Sequence, residues 1–295
     1  MKLPDIILFA LIAILSAVFF AQWFMLWRRR ELRERPSWSD LGIGFLTNFG
    51  DALGIGSYAT TTALYKFRGR PSDELIPGTL TVGSVSVGIA ETIIFVTLIT
   101  VDPMLLLTMV ASATAGAWLG AGVVSRMQRR SIQVLMGAAL LVAAIFFVMG
   151  NLGSFPVGGA ALSLTGWKFV AAVATNFVLG ALSTIGIGWY APTMVVLALL
   201  GFNLRAAFPI MMGSGGMMLP AAGVRFLRSG RFAWGPSVGF ATAGVIGVLI
   251  AAFIVKTLPL HALRWLVAAV VTYAALAMLR SAQREAAAAR AEGRG

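Results

Sequence analysis

The 295-residue chain is 59% hydrophobic and only 12% charged, with a mean hydropathy of +0.88, whereas soluble domains run near half apolar and a quarter charged. A water-soluble globule is excluded. Apolar runs of about 18 or more residues recur along the chain, each able to cross roughly 30 Å of hydrocarbon, so the fold class is an all-α polytopic membrane protein. The excess of 23 Lys and Arg over 11 Asp and Glu then marks cytoplasmic loops rather than nucleic-acid binding.

The first run, Ile6 to Trp27, ends at Arg28-Arg29-Arg30 without a small-residue cleavage site and reads as an uncleaved anchor. Further runs lie at about 41–65, 75–100, 103–125, 131–150, 167–203, 207–224, 234–255 and 258–279, followed by an Ala-rich polar tail from Arg280 to Gly295. Five clusters hold 18 of the 23 basic residues: Arg28 to Arg35, Lys66 to Arg70, Arg126 to Arg130, Arg225 to Arg231, and Arg280 onward. Placing all five on the cytoplasmic side satisfies the positive-inside bias only if 41–65 enters and leaves on one side. The same parity makes 167–203 a hairpin opening from the outside. The count is then about seven full spans and two re-entrant or broken-helix hairpins; a conventional crossing at 41–65 is the alternative.

Those two odd segments share a motif. Thr47-Asn48-Phe49 precedes Gly54-Ile55-Gly56-Ser57-Tyr58-Ala59-Thr60-Thr61, and Thr175-Asn176-Phe177 precedes Gly186-Ile187-Gly188-Trp189-Tyr190-Ala191-Pro192-Thr193. Phe67 to Arg70 (FRGR) likewise matches Phe202 to Arg205 (FNLR), and Pro77 with Gly83-Ser84 matches Pro209 with Gly213-Ser214. An odd number of crossings between the copies gives them opposite orientation, the inverted-repeat plan of many secondary transporters. The expected organisation is an anchor and basic loop at 1–36, a first repeat at 37–150, a linker at 151–166, an inverted second repeat at 167–280 and a polar cytoplasmic tail at 281–295.

Most of the 33 Gly, including Gly116, Gly120, Gly244 and Gly247, are read as sites of close helix packing. The two Gly-Ile-Gly positions differ because each lies mid-segment and is followed by hydroxyl residues. Unwound backbone at membrane depth is tolerated where it lines a cavity, and the freed amides of the next half-helix favour an anion. Expected substrate-binding residues are therefore Asn48, Gly54, Gly56, Ser57, Tyr58, Thr60 and Thr61 from the first segment, and Asn176, Gly186, Gly188, Tyr190 and Thr193 from the second.

These motifs resemble the TauE/SafE sulfite exporter family, also described as four-toluene-sulfonate uptake permeases. The resemblance covers nearly the whole chain after the anchor and rests on GIGSYATT, GIGWYAPT, the turns ending in Arg70 and Arg205, and the small-residue elements Pro77-Gly78-Thr79 and Gly213-Ser214. Many relatives carry a run of glycines where this chain has Ser57-Tyr58 and Trp189-Tyr190. The resemblance implies a secondary transporter of the bacterial inner membrane, multi-pass with a cytoplasmic C-terminus, exporting sulfite or a small organosulfonate by alternating access. Another small organic anion, or a non-transporting membrane subunit, is the alternative.

Two carboxylates lie in apolar zones, Asp51 just before the first Gly-Ile-Gly and Glu91 within 75–100. Each is a candidate proton carrier, against the plainer readings of a cap at a cytoplasmic vestibule for Asp51 and an interhelix tie for Glu91. Arg70 and Arg205 are candidates for drawing anions to each entrance. His261 reads as a loop residue, and Trp23, Trp27, Trp38 and Trp265 as interface anchors. With no Cys and one His, thiol chemistry is absent and a metal cluster is unsupported. HExxH, GxSxG and GxxxxGK[ST] do not occur, so neither an enzyme nor a nucleotide-driven pump is expected, and no cofactor. Expected partners are the bilayer and a small anionic substrate, with protons and a second copy of the chain as further candidates, and no nucleic acid.

Overall fold

The computed structural model describes residues 3–29, 34–53, 55–96, 101–253 and 260–292. Gly54, the edges 97–100, 254–255 and 258–259 of expected spans, and the last three tail residues lie outside the described residues. The described chain is built from α-helices joined by short loops: α1 (Leu3–Arg28), α2 (Trp38–Ala52), α3 (Ser57–Arg68), α4 (Ile76–Val96), α5 (Pro103–Val124), α6 (Arg129–Asn151), α7 (Gly166–Ser183), α8 (Tyr190–Leu199), α9 (Leu204–Ser229), α10 (Trp234–Phe253) and α11 (Leu260–Glu292).

Local chemistry sets several of these boundaries. Ser37 and Asp40 form a reciprocal capping box at the start of α2. Asp102 accepts from the Leu105 amide with Pro103 in the first turn of α5, where a missing N–H costs nothing. Asn203 caps α9 through the Arg205 and Ala206 amides. Left-handed Gly69 and Gly230 end α3 and α9.

The segment 41–65 is not one helix but two, α2 and α3, folded back on each other. Thr61 Oγ1 donates to Thr47 Oγ1 at 2.9 Å, and Arg68 at the end of α3 bonds Asp40 and Ser37 at the start of α2. A straight helix would set those partners tens of ångströms apart. The arms α7 and α8 fold back in the same way, with Lys168 Nζ donating to the Leu200 carbonyl at 3.0 Å and the Asn203 amide to Ala161.

Between the hairpins stand α4 and α9, the two most buried of the apolar helices. They are antiparallel: Thr92 Oγ1 near the end of α4 donates to the Met212 carbonyl near the start of α9, while Thr79 Oγ1 near the start of α4 accepts from the Ala233 amide beyond the end of α9. The two hairpins therefore hang from opposite ends of this central pair. Further pairings correspond across it: α2 packs on α10 as α7 packs on α5, α4 on α10 as α9 on α5, and α6 on α11.

Glycine makes two of these contacts close, as expected for Gly116, Gly120, Gly244 and Gly247. A Cβ on Gly116 would lie 2.0 Å from the Phe177 carbonyl oxygen, and one on Gly120 2.6 Å from that of Ala181. On the other side, a Cβ on Gly247 would lie 2.5 Å from the Phe45 carbonyl oxygen and one on Gly244 2.6 Å from the Asn48 amide nitrogen. Close backbone approach through small residues is how membrane helices associate without a hydrophobic driving force between them.

Eight described helices are long and apolar enough to cross a membrane. One of them, α7, is the first arm of the second hairpin, which leaves α1, α4, α5, α6, α9, α10 and α11 as the candidate full crossings among the described residues. Leu11, Ile14, Leu119, Val123, Ile145, Ile246 and Leu266 lie exposed around the outside, a surface suited to lipid. The basic clusters meet at one end of the bundle, here the basic end. There Arg70 pairs with Glu34, Lys66 with Asp73, and Arg129 with Glu74 and Glu285. The Ala-rich tail is not a separate element: α11 continues through it, and Ser281 and Glu285 bond Lys66 and Gln133.

Candidate functional site

Each hairpin turns at its glycine motif. In the first, Leu53 and Ile55 both donate backbone amides to the Gly50 carbonyl, and Gly56 adopts φ 84°, ψ 128° before α3 begins at Ser57. In the second, Gly186 has φ 101° and α8 begins after Trp189. Side chains with Cβ resist these conformations, which is why the helices break here and not at the neighbouring alanines.

The tips bring together groups far apart in sequence. Ser57 Oγ donates to Asp51 Oδ2 at 2.6 Å, and Tyr190 Oη donates to Glu91 Oε2 at 2.7 Å. The Trp189 ring stands edge-on between Tyr58 and Tyr190, with centroids 5.5 Å and 4.6 Å away. Trp189 Nε1 donates to the Met211 carbonyl at 3.2 Å, and Gly215 of α9 makes room for the indole, since a Cβ there would lie 2.9 Å from it.

Both tips line one cavity of about 540 Å³. Asp51, Gly56, Ser57 and Tyr58 come from the first hairpin, and Gly188, Trp189, Tyr190 and Pro192 from the second. Val142, Phe146, Phe147 and Gly150 of α6, Phe155 beyond it, and Phe208, Met211 and Met212 of α9 complete the wall. These come from the last part of α6 and the first part of α9, so the cavity runs from the tips toward the end opposite the basic clusters. On the basic side Tyr65, Ile76, Leu80, Ile132 and Met136 are fully buried and none of them lines the cavity.

Among the described residues the wall contains no Lys, Arg or His, and Asp51 is its single carboxylate. Positive potential in it comes instead from the backbone amides at the starts of α3 and α8. Pro192 in the first turn of α8 lacks one such amide.

Of the residues expected to bind substrate, Gly56, Ser57, Tyr58, Gly188 and Tyr190 line the cavity, as does Asp51, and Glu91 adjoins it through Tyr190. Others do not reach it. Asn48 is fully buried and donates to the Gly44 carbonyl at 2.7 Å; Asn176 donates to the Met109 carbonyl at 2.7 Å and to Ser214 Oγ at 3.2 Å. The Asn176 amide ties α7 to α5 and α9, whereas that of Asn48 bonds a carbonyl of its own helix. Thr60 bonds carbonyls of its own turn, Thr61 bonds Thr47, and Thr193 is buried outside the cavity wall. Gly186 lies against Met136, Leu80 and Thr62 at the floor, and Gly54 is outside the described residues. Arg70 pairs with Glu34 at the basic end, and Arg205 is exposed at the opposite end.

Sequence reasoning missed the α6 wall, Phe155, Met211 and Met212. Apolar residues on a membrane helix read alike whether they face lipid or a cavity, so no signal in the sequence marks them. Trp189 sat inside the quoted motif, and its position before a shared Tyr was the available clue. Among the described residues no group of three or more His, Cys, Asp or Glu could hold a metal ion.

A family model described as sulfite exporter TauE/SafE matches residues 2–147. The match takes in α1 and the first hairpin and ends within α6, short of the second glycine motif, whereas the resemblance drawn from the motifs began after the anchor and reached both. No curated protein and no solved structure matches the chain.

Proposed function

We propose, from its place in the sulfite exporter TauE/SafE family, that the protein is a secondary transporter moving sulfite or a small organosulfonate out across the bacterial inner membrane by alternating access. The anion sits between the two hairpin tips, and the C-terminus lies in the cytoplasm with the basic end. The observation that carries this reading is that both Gly-Ile-Gly breaks, remote in sequence, open onto one cavity. Broken half-helices meeting near mid-membrane are the usual substrate site of transporters built from inverted repeats. Rocking of the two halves about the α4 and α9 pair would expose the tips to each side in turn.

Export of an anion needs no nucleotide. An inside-negative potential drives each negative charge outward with about 2.3 kcal/mol per 100 mV. A cavity of about 540 Å³ with aromatic and methionine walls is within the usual range for drug-sized ligands and favours an anion with an organic tail over bare sulfite.

Thermal unfolding of the purified protein against sulfite, sulfate, thiosulfate and a series of sulfonates, followed by flux into proteoliposomes holding only this protein, tests the proposal. Stabilisation by sulfur oxyanions and uptake of the same compounds are expected. No stabilisation by any sulfur oxyanion, together with no flux, would overturn it.

A further inference from the structure

Of the residues between α6 and α7, only Phe155 lines the cavity. At the end of α6 the Leu152 amide donates to the Val148 carbonyl, and left-handed Gly153 (φ 66°) turns the chain back, so that the Ser154 amide reaches the Met149 carbonyl at 2.9 Å. A left-handed glycine of this kind closes a helix end, and here it returns the next residue to the helix just left. The Phe155 ring stacks on Phe146, with centroids 6.2 Å apart, and lies against Gly150, one turn further along the same face of α6. A Cβ on Gly150 would lie 3.0 Å from Phe155 Cε2, so glycine leaves the ring its room.

The rest of the loop is tied to the second hairpin. The Gly159 amide donates to the Phe202 carbonyl at 3.1 Å, the Ala161 amide to the Gly201 carbonyl at 3.4 Å, and the Asn203 amide back to the Ala161 carbonyl at 2.8 Å. Gly201, Phe202 and Asn203 form the turn between α8 and α9. The approach is close, since a Cβ on Gly159 would lie 2.1 Å from the Gly201 carbonyl oxygen. Connecting loops are usually the variable, mobile parts of a fold; this one holds an aromatic ring at the cavity from two directions.

The ring also stands at a definite depth. Gly186 of the second tip lies against Met136 of α6, and Ala143, two turns nearer Gly150, is on the cavity wall. Gly150 and the ring beside it lie two turns, about 10 Å, beyond Ala143. An anion held at the tips with its tail along α6 therefore meets Phe155 end-on.

We propose that Phe155 is the specificity-determining residue of the cavity: its ring, held over the end away from the tips, sets how long an organic tail the bound anion carries. The ligand class rests on the transport reading above; the place of the ring does not.

Two measurements on the full-length protein test it. In calorimetric titrations from ethane- to hexanesulfonate, affinity should rise about fourfold per buried methylene and stop rising at one chain length. In Phe155→Ala the rise should continue through the longer chains, with ethanesulfonate bound as before. Gly159→Ala, which keeps the ring but forces the loop off the turn, should relax the limit too. The second measurement needs no anion. In this cysteine-free chain, Ala143→Cys is labelled with a small and a bulky impermeant thiol reagent. The ring should slow the bulky reagent several-fold more than the small one, and adding Phe155→Ala should remove most of that difference. An unchanged chain-length limit in Phe155→Ala, or an unchanged labelling ratio, overturns the proposal. If no sulfonate binds while the ratio responds, the place of the ring is supported and the transport reading is what fails.

Discussion

The glycines of the two tips give a test that separates backbone conformation from space. At Gly56 (φ 84°, ψ 128°) an added Cβ meets nothing within 4 Å, so any cost of Gly56→Ala is backbone strain alone. That region of conformational space is almost confined to glycine, and forcing another residue into it costs about 1–3 kcal/mol. Gly188 also has nothing within 4 Å of an added Cβ, but it has no positive φ. Gly188→Ala is therefore expected to be neutral or stabilising by about 0.4–1 kcal/mol through the unfolded chain. Both residues line the same cavity. In detergent, with tryptophan fluorescence following thermal unfolding, Gly56→Ala should melt several degrees lower, at roughly 2–4 °C per kcal/mol; Gly188→Ala should not. Gly186→Ala, with φ 101° and Met136 Cε 3.4 Å from the new methyl, should resemble Gly56→Ala. Equal midpoints for Gly56→Ala and Gly188→Ala would refute the idea that backbone geometry fixes the break.

Asn176→Ala leaves the Met109 carbonyl and Ser214 hydroxyl without their donor and should cost about 1–3 kcal/mol of stability, with ligand affinity in the folded protein unchanged; a weakened Kd at unchanged melting temperature would return Asn176 to the binding site. Gly116→Ala and Gly247→Ala, which place a Cβ 2.0 Å and 2.5 Å from carbonyl oxygens of the facing helix, should each lose about 1–3 kcal/mol in chemical unfolding, while Gly42→Ala, with open space around it, should not. Lys66→Ala strips a mostly buried partner from Asp73 and should cost about 3 kcal/mol or more. In this cysteine-free chain it should also speed labelling of Ala63→Cys by an impermeant thiol reagent added from the basic end. Unchanged labelling would argue against a seal there.

Hairpin geometry was legible because charge placement is a global constraint. With five basic clusters to be kept on one side, parity alone requires 41–65 to return, and Arg68 bonding Asp40 is what that looks like in three dimensions. The glycine motifs were legible because their spacing is local. What escaped the sequence was which face of a helix each polar residue occupies. Asn48 and Asn176 precede the motifs at matching places, and nothing in the sequence says that their amides turn toward helix carbonyls rather than the tips. Tyr190 and Glu91 are 99 residues apart, a pairing that only the crossing of α8 with the α4 region creates. The Ala-rich composition left the tail open between helical and frayed; Ser281 and Glu285 recur at the four-residue spacing that gives one helix face and hold it to Lys66, Gln133 and Arg129.

The two ends of the bundle are closed by different physics, and that difference bears on how a cycle could run. At the basic end, Lys66 of the first hairpin reaches Asp73 and Ser281, Gln133 reaches Asp73 and Glu285, and Arg129 reaches Glu285 and Glu74. The network joins α3, the turn at Asp73–Leu75, α6 and α11. Each bond is modest alone, but the Lys66 and Asp73 side chains are only 14% and 8% exposed, so separating them without new partners strands charge. At the other end the cavity walls include Phe146, Phe147, Phe155 and Phe208, apolar rings whose own sliding strands no charge. In the proposed cycle, opening the basic end would require water to take over that network as α3 moves against α6 and α11, whereas closing the opposite end would bring aromatic walls together around the solute. Under the proposed function, an anion held by the amides at the start of α3 would favour the first step, because the hairpin would move with its cargo.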